Sequence, residues 1–330
     1  MGDAKVGTIA GREVGSGGRS PALPPVVGPP RKGLLARIWG ELRREEARTG
    51  WLFLLPAMVY FAIFTGFPLV YGFWVSLHEW NMMSPRMTFV GADNYLDLMD
   101  DPTFLECLAN TTYFTVGIVA CVIVFSFLLA VLLNKKIRQM TLFRGIFYSP
   151  AVTSVVAISV VWLWILDPEY GFINQVLRMV NVIGPRWLAD STWALPGLVM
   201  TAAWRNIGYF AVVFLAGLQG IDQMYYEAAS IDGANWWGRF RHITVPMLMP
   251  TTFFVLVMTV ILSFQVFALV YVMTGGGPGG ATAVIVFYLY KQAFVYFRMG
   301  YASAVGYVLF VIIFTLTLLQ FRFLGKTAEV

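Results

Sequence analysis

Tyr226-Glu227-Ala228-Ala229-Ser230-Ile231-Asp232-Gly233-Ala234 is polar and carries its own turn, yet it lies between two long apolar segments. Glu227-Ala228-Ala229 favours helix. Gly233 permits a turn that a residue with a Cβ would resist. Trp236 to Ile243 can form a second short helix, which Pro246 is expected to end or bend. The segment therefore reads as a helix-turn-helix projection running from Tyr226 to Pro246.

The chain around it is made for lipid. Of 330 residues, 58% are hydrophobic and 12% charged, whereas soluble domains carry about 25% charged residues. The composition implies an integral membrane protein. The net charge of +5 does not point to nucleic acid, because the cations sit where topology wants them. Cys107 and Cys121 lack metal-ligand spacing, and Cys121 falls inside an apolar span, which argues against a disulfide. Residues 1–33 have no apolar core and are rich in Gly, Pro and Val, so they read as a disordered leader rather than a signal peptide. In 34–50, Leu34, Leu35, Ile38, Trp39 and Leu42 recur at helical spacing beside Arg37, Arg43 and Arg44. This is an amphipathic helix at the inner membrane surface, or a plain basic flank.

Six apolar segments follow: Trp51–Leu77, Thr112–Leu133, Phe143–Leu166, Leu195–Leu218, Met249–Met273 and Ala302–Phe323. Each reaches the roughly 20 residues that cross a bilayer core. The expected fold is all-α, with six transmembrane helices in a domain covering 51–325. The 220–248 loop joins spans four and five. Lys135, Lys136, Arg138 and Arg144 lie after span two, and Arg239 and Arg241 after span four. Glu79, Asp93, Asp97, Asp100, Asp101 and Glu106 lie after span one, against a lone Arg86. The positive-inside rule then makes both termini and the Glu227 loop cytoplasmic, where a projection can dock a soluble partner.

Gly275–Gly280 is glycine-rich without the Lys and Ser/Thr of a phosphate-binding loop, and reads as a tight external turn. Residues 281–299, interrupted by Lys291 and Arg298, read as an interfacial or re-entrant helix. Arg205 is the one charge well inside a span, so it should face a cavity or a partner. Asn206 and Tyr209 follow it on or near the same helix face. Thr259 and Ser263 are four apart, with Gln265 and Val266 close by. Together these residues could line a polar path for a hydroxylated solute, or serve as interhelical glue. His78 and His242 lie on opposite sides in this topology, and no acid–base or nucleophile–base set is visible, so a catalytic role has little support.

The spacing Glu-Ala-Ala, three residues, Gly, nine residues, Ile, one residue, a hydrophobe and Pro (Glu227 to Pro246) resembles the coupling loop of ABC-importer permeases, with Val245 in place of the usual Leu. Tyr226, Asp232, Ala234, Phe240, Arg241 and Pro250 resemble the carbohydrate-importer branch. Phe89–Tyr95, Asn110–Thr115, Tyr271–Pro278 and Met299–Ala304 are similar to the first of that branch's two permease subunits. The resemblance covers roughly 50–325 and implies a binding-protein-dependent importer. In it Glu227, Ala228, Ala229, Asp232, Gly233, Phe240, Ile243 and Pro246 couple to an ATPase. Asn206, Tyr209, Thr259, Ser263 and Val266 match positions lining the sugar pocket of the maltose-type permease. Val266 replaces an amide there, so that particular substrate does not carry over.

The implied partners are a second homologous permease, a cytoplasmic ATPase dimer, an extracytoplasmic solute-binding protein and membrane lipid, with no nucleic acid. No cofactor is expected on this chain, since ATP and Mg would bind the partner ATPase, and the chain itself is not an enzyme. The implied location is the cytoplasmic membrane. The competing reading is a stand-alone secondary transporter or channel. Those folds usually show internal repeats or charges in several spans, which this sequence does not.

Overall fold

A computed structural model describes residues 45–84, 86–135 and 138–324. The expected leader and most of the amphipathic stretch lie outside the described residues. The chain divides into two units, Met1–Phe64 and Thr65–Val330. In the first, helix α1 (Glu45–Phe61) leaves Leu52 70% and Phe53 80% exposed, a surface suited to lipid rather than water.

The second unit begins with α2 (Phe67–Ser76) and a short antiparallel hairpin, β1 (His78–Trp80) and β2 (Met87–Phe89), paired His78 to Phe89 and Trp80 to Met87. This hairpin amends the all-α expectation. It is held by Asn94, whose Nδ2 donates to the carbonyls of Ser76 (2.9 Å) and His78 (3.1 Å). Asn94 lies in α3 (Asp93–Asp100). There follow α4 (Pro102–Leu133), α5 (Met140–Val152), α6 (Val155–Ile165), α7 (Phe172–Met179) and α8 (Ser191–Gln219). The chain continues with α9 (Gln223–Ile231), α10 (Trp236–Arg239), α11 (Val245–Met247), α12 (Met249–Phe264), α13 (Ala268–Met273), α14 (Ile285–Tyr290) and α15 (Met299–Leu324).

Among the described residues, four helices are long and apolar enough to cross a membrane: Thr49–Ser76, Pro102–Leu133, Ser191–Gln219 and Met299–Phe323. The number is six if each of two bent pairs is one span. The expected third span is such a pair, α5 and α6, bent by 99°. Pro150 cannot donate to Ile146, and Ser149 Oγ takes that carbonyl at 3.0 Å instead. Three residues on, Thr153 and Ser154 turn to extended ψ angles of 145° and 131°.

The expected fifth span also breaks. α12 ends at Phe264, and Phe267 (φ −139°, ψ −62°) separates it from α13. The helix that begins at Trp236 passes through a wide π-type turn over Phe240–Thr244 and ends at Met247, one residue past Pro246, with a 56° bend at Leu248.

α4 runs along α8, with Phe114, Ile118 and Val122 packed on Leu198, Val199 and Ala202 in one apolar core. α8 meets α5 at Gly208, where an added Cβ would stand 1.7 Å from the Phe147 carbonyl oxygen, so only glycine fits. A second core, including Leu98, Phe104, Ile285 and Val305, lies at the α3 end of α4. There the Asp101 carboxylate accepts from the hydroxyls of Tyr288 and Tyr301 (the latter at 2.9 Å). α14 and its continuation, Ile285–Val295, form the short element expected over 281–299. At 1.5 Å per residue it is about 16 Å long, half of a bilayer core.

Candidate functional site

Two places gather the residues singled out by sequence. The first is the helical hairpin. Asp222 opens α9 by accepting from Met224 N–H at 2.9 Å. Gly233 closes it at φ +78°, which lets Ala234 N–H reach back to Ala229 O at 2.9 Å. Asn235 then caps α10, accepting from Gly238 N–H at 2.7 Å. Arg239 donates to Ser230 Oγ at 2.8 Å, tying the two helices together.

The hairpin has an outward and an inward side. Glu227, Ala228, Asp232, Gly233 and Pro246 are exposed, while Ala229 is half-buried. Phe240 and Ile243 turn inward: Phe240 lies 5.8 Å from Phe127 of α4, and Ile243 packs on the main core. Tyr226 Oη and Thr244 Oγ1, 3.0 Å apart, bridge α9 to the following helix. Sequence reasoning missed the apolar tip, where Met224 is 64% and Ile231 87% exposed. The only signal was a large aliphatic residue beside Asp232 in a polar turn.

The second place is a cavity of about 370 Å³ lined from α4, α6, α8, α12 and α13. Arg205, Asn206, Thr259, Ser263, Gln265 and Val266 all line it. Residues 50 to 152 positions away in sequence thus share one wall with Phe114 and Val155. The break after α12 brings this about, because it ends the helix one residue past Ser263 and turns Gln265 and Val266 into the space. Ile118 and Asn206 sit near the middle of their helices, so the cavity is at mid-depth.

Tyr209 does not join it; its ring lies 6.3 Å from that of Tyr148. Phe210, four residues after Asn206, takes the cavity position instead. The other lining residues, among them Ile118, Leu262 and Phe267, were invisible in sequence, since an apolar residue facing a cavity reads like one facing lipid.

The polar groups of the cavity are unequally committed. Asn206 Nδ2 donates to Ala202 O (2.8 Å) and Ser263 Oγ to Val260 O (3.0 Å). Arg205 Nη2 donates to Ala151 O at 3.2 Å, but its Nε is buried without a partner. Thr259, 2% exposed, has no partner for Oγ1.

A largely helical chain with several membrane-length helices, a cavity at mid-depth that carries a few polar side chains and a projecting hairpin is a multi-pass membrane transport protein in architecture. Residues 122–327 match the family described as "Binding-protein-dependent transport system inner membrane component", and the chain belongs to that family. It is 36% identical over 283 residues to a probable ABC transporter permease, YurN, of Bacillus subtilis strain 168, covering 84% of this chain and 97% of that protein. It is also 36% identical over 287 residues to the lactose transport permease LacF of Rhizobium radiobacter, covering 85% and 95%. A crystal structure of a bacterial ABC transporter involved in import of the acidic polysaccharide alginate has the same fold. The TM-score is 0.74 at 23% identity, over 88% of this chain and 99% of that one. The relatives are ABC transporter permeases, which are membrane subunits.

Proposed function

We propose that this chain is one of two permease subunits of an ATP-driven importer for a sugar or sugar-like solute. In this reading it crosses the cytoplasmic membrane six times with both termini inside, each bent pair counting as one span. The domain runs over 51–325, and the loop 220–248 contacts a cytoplasmic ATPase dimer. ATP and Mg bind and react on that partner, and no cofactor is assigned to this chain. A second homologous permease completes the pathway, and an extracytoplasmic binding protein delivers the solute. Sugar importers among the relatives support the substrate class.

One observation carries this reading: the hairpin is linked mechanically to the cavity. Its outward side offers Glu227 and Ala228 for contact. Its inward side holds α4 through Phe240 and Phe127. The helix from Trp236 then runs, across one bend, into α12, which carries Thr259 and Ser263. Closure of the ATPase dimer would push α9. The push would reach the cavity through α12 and switch it between its two access states.

The test is co-purification of tagged chain, ATPase and second permease in detergent, wild type beside Gly233→Pro. Proline cannot adopt φ +78°. The expected result is loss of the ATPase with the second permease retained. A chain that purifies alone and moves solute in vesicles without ATP would overturn the proposal in favour of a secondary transporter.

A further inference from the structure

The loop between α6 and α8 turns polar side chains inward and leaves large apolar ones exposed. Asn174 of α7 is buried. Its Nδ2 donates to the carbonyls of Pro168 (3.0 Å) and Pro185 (3.1 Å), and its Oδ1 accepts from Trp187 Nε1 at 2.8 Å. Gln175 and Arg178 are laid back on the same loop, donating to Tyr170 O (2.8 Å) and Pro168 O (3.3 Å). Gly184 lets the chain pass over Asn174, since an added Cβ would stand 2.1 Å from its Oδ1. By contrast, Phe172 and Val176 of α7 are exposed, Met179 is 81% exposed and Ile183 96%.

A surface in water does not gather side chains in this way, and an exposed apolar patch of this kind marks an interaction site. Helical spacing divides α7 into three sides. Ile173 packs on the main core, Phe172, Val176 and Met179 share the exposed apolar side, and Gln175 and Arg178 share the polar one. A helix so divided suits the boundary between acyl chains and headgroups.

Two observations make lipid the occupant. The first is depth. Asn174 ties α7 to Pro168, just past the end of α6, and to Trp187, just before the start of α8. The helix is therefore held at the level where two membrane-crossing elements end. Trp187 and Trp193 pack edge to face there, 5.6 Å apart, as tryptophans do at a membrane–water boundary. The second is continuity. Val156, Val160, Val161 and Trp164 form an exposed stripe along α6, the side that meets lipid in a span, and Tyr170 and Phe172 carry that exposure past its end.

α8 is long enough to cross the membrane, with α7 before it and the hairpin after it, so the two lie on opposite membrane faces. Resting on the reading that the hairpin is cytoplasmic, we propose that α7 and the turn to Ile183 are embedded in the outer leaflet. Phe172, Val176, Met179 and Ile183 enter the acyl region by about 5–10 Å, while Gln175 and Arg178 stay among the headgroups. Phospholipid itself is the partner. α6, which lines the cavity through Val155, is thereby anchored to the bilayer at its other end.

The experiment uses the full chain with its co-purified partners in nanodiscs of phosphatidylcholine and phosphatidylglycerol. Cys107 and Cys121 are first replaced by Ala. A nitroxide is then attached to Met179→Cys, Ile183→Cys, Glu169→Cys or Val160→Cys in turn. Its collisions with oxygen, which concentrates among acyl chains, are compared with its collisions with a water-soluble nickel chelate. The oxygen-to-nickel ratio at Met179→Cys and Ile183→Cys is expected to approach that at Val160→Cys and to exceed that at Glu169→Cys by about fivefold or more.

Ratios no higher than at Glu169→Cys mean that the face meets water, open to a soluble protein such as the binding protein, and overturn the proposal. Low collision with both reagents means that a protein surface, such as the second permease, covers it, and also overturns the proposal. Sidedness is read separately, with a membrane-impermeant maleimide added to right-side-out vesicles, which is expected to label Glu169→Cys. Labelling only after the vesicles are opened overturns the cytoplasmic-hairpin reading and the outer-leaflet placement together, whatever the collision ratios.

Discussion

The hairpin and the cavity are built in opposite ways. The hairpin is contiguous: its caps, its glycine turn and its exposed residues all lie between Asp222 and Pro246, and its stability rests on local bonds such as Asn235 to Gly238 and Ala234 to Ala229. The cavity draws on five helices, and its residues come from both sides of two breaks, that between α5 and α6 and that between α12 and α13. A local element can be changed at its surface without unfolding the chain. A distributed one cannot lose a packing contact without losing its shape.

The sharpest break in this comparison is at the packing that shapes the cavity. Gly208→Leu drives a side chain into the Phe147 carbonyl and should cost about 3 kcal/mol or more. Monodisperse yield in detergent is expected to collapse. Normal yield would show that α5 can move away from α8.

At the hairpin the effect should be functional instead. Ala228→Asp places a charge on an exposed face, and Ala229→Asp does so at a half-buried position. Both are expected to cut ATP-dependent uptake at least tenfold, and Ala228→Asp should leave yield and thermal stability at wild-type values. Uptake at the wild-type level in both variants would end the docking model.

Within the cavity, Phe210→Ala removes part of the apolar wall. It is expected to destabilise the chain by roughly 3 kcal/mol and to weaken solute binding more than Tyr209→Ala, since Tyr209 stands outside. Thermal unfolding and uptake KM measured on both variants separate the two positions.

The smallest effect lies at the far end of α4. Burial works to raise the Asp101 carboxyl, but hydrogen bonds from Tyr288, Tyr301 and the Thr103 and Phe104 N–H groups hold it below the usual carboxylate range. A group depressed in the folded state contributes stability above its unfolded value of about 3.9, and loses it as pH falls through the folded one. Thermal stability is therefore expected to be flat from pH 8 to 5 in this respect and to fall below about pH 4. Asp101→Asn should cost under about 1 kcal/mol at neutral pH, given its partial exposure to solvent, and should remove the acid limb.

The residues that the sequence made legible are those whose chemistry conflicts with their surroundings. Gly233 stood out because a polar turn sits between apolar runs, and it does carry the positive φ. Arg205 stood out as a charge within a span, and it does face a cavity. Where the surroundings agree with the residue there is no such signal. Phe240 was grouped with the docking residues, yet it packs inward on Phe127. Tyr209 shares a helix face with Arg205 by spacing, yet the neighbouring helices give the cavity position to Phe210.

Sequence alone determined the membrane class, the approximate helices and the hairpin, because these follow from apolar run length and from turn chemistry confined to a few adjacent residues. The tertiary structure alone decided where the third and fifth spans break, which polar residues meet at mid-depth and which hydrogen bonds remain unmade. Those outcomes depend on how α8 packs against α4 and α5 at positions such as Gly117 and Gly208. Contacts between residues far apart in the chain leave no periodicity from which they can be read.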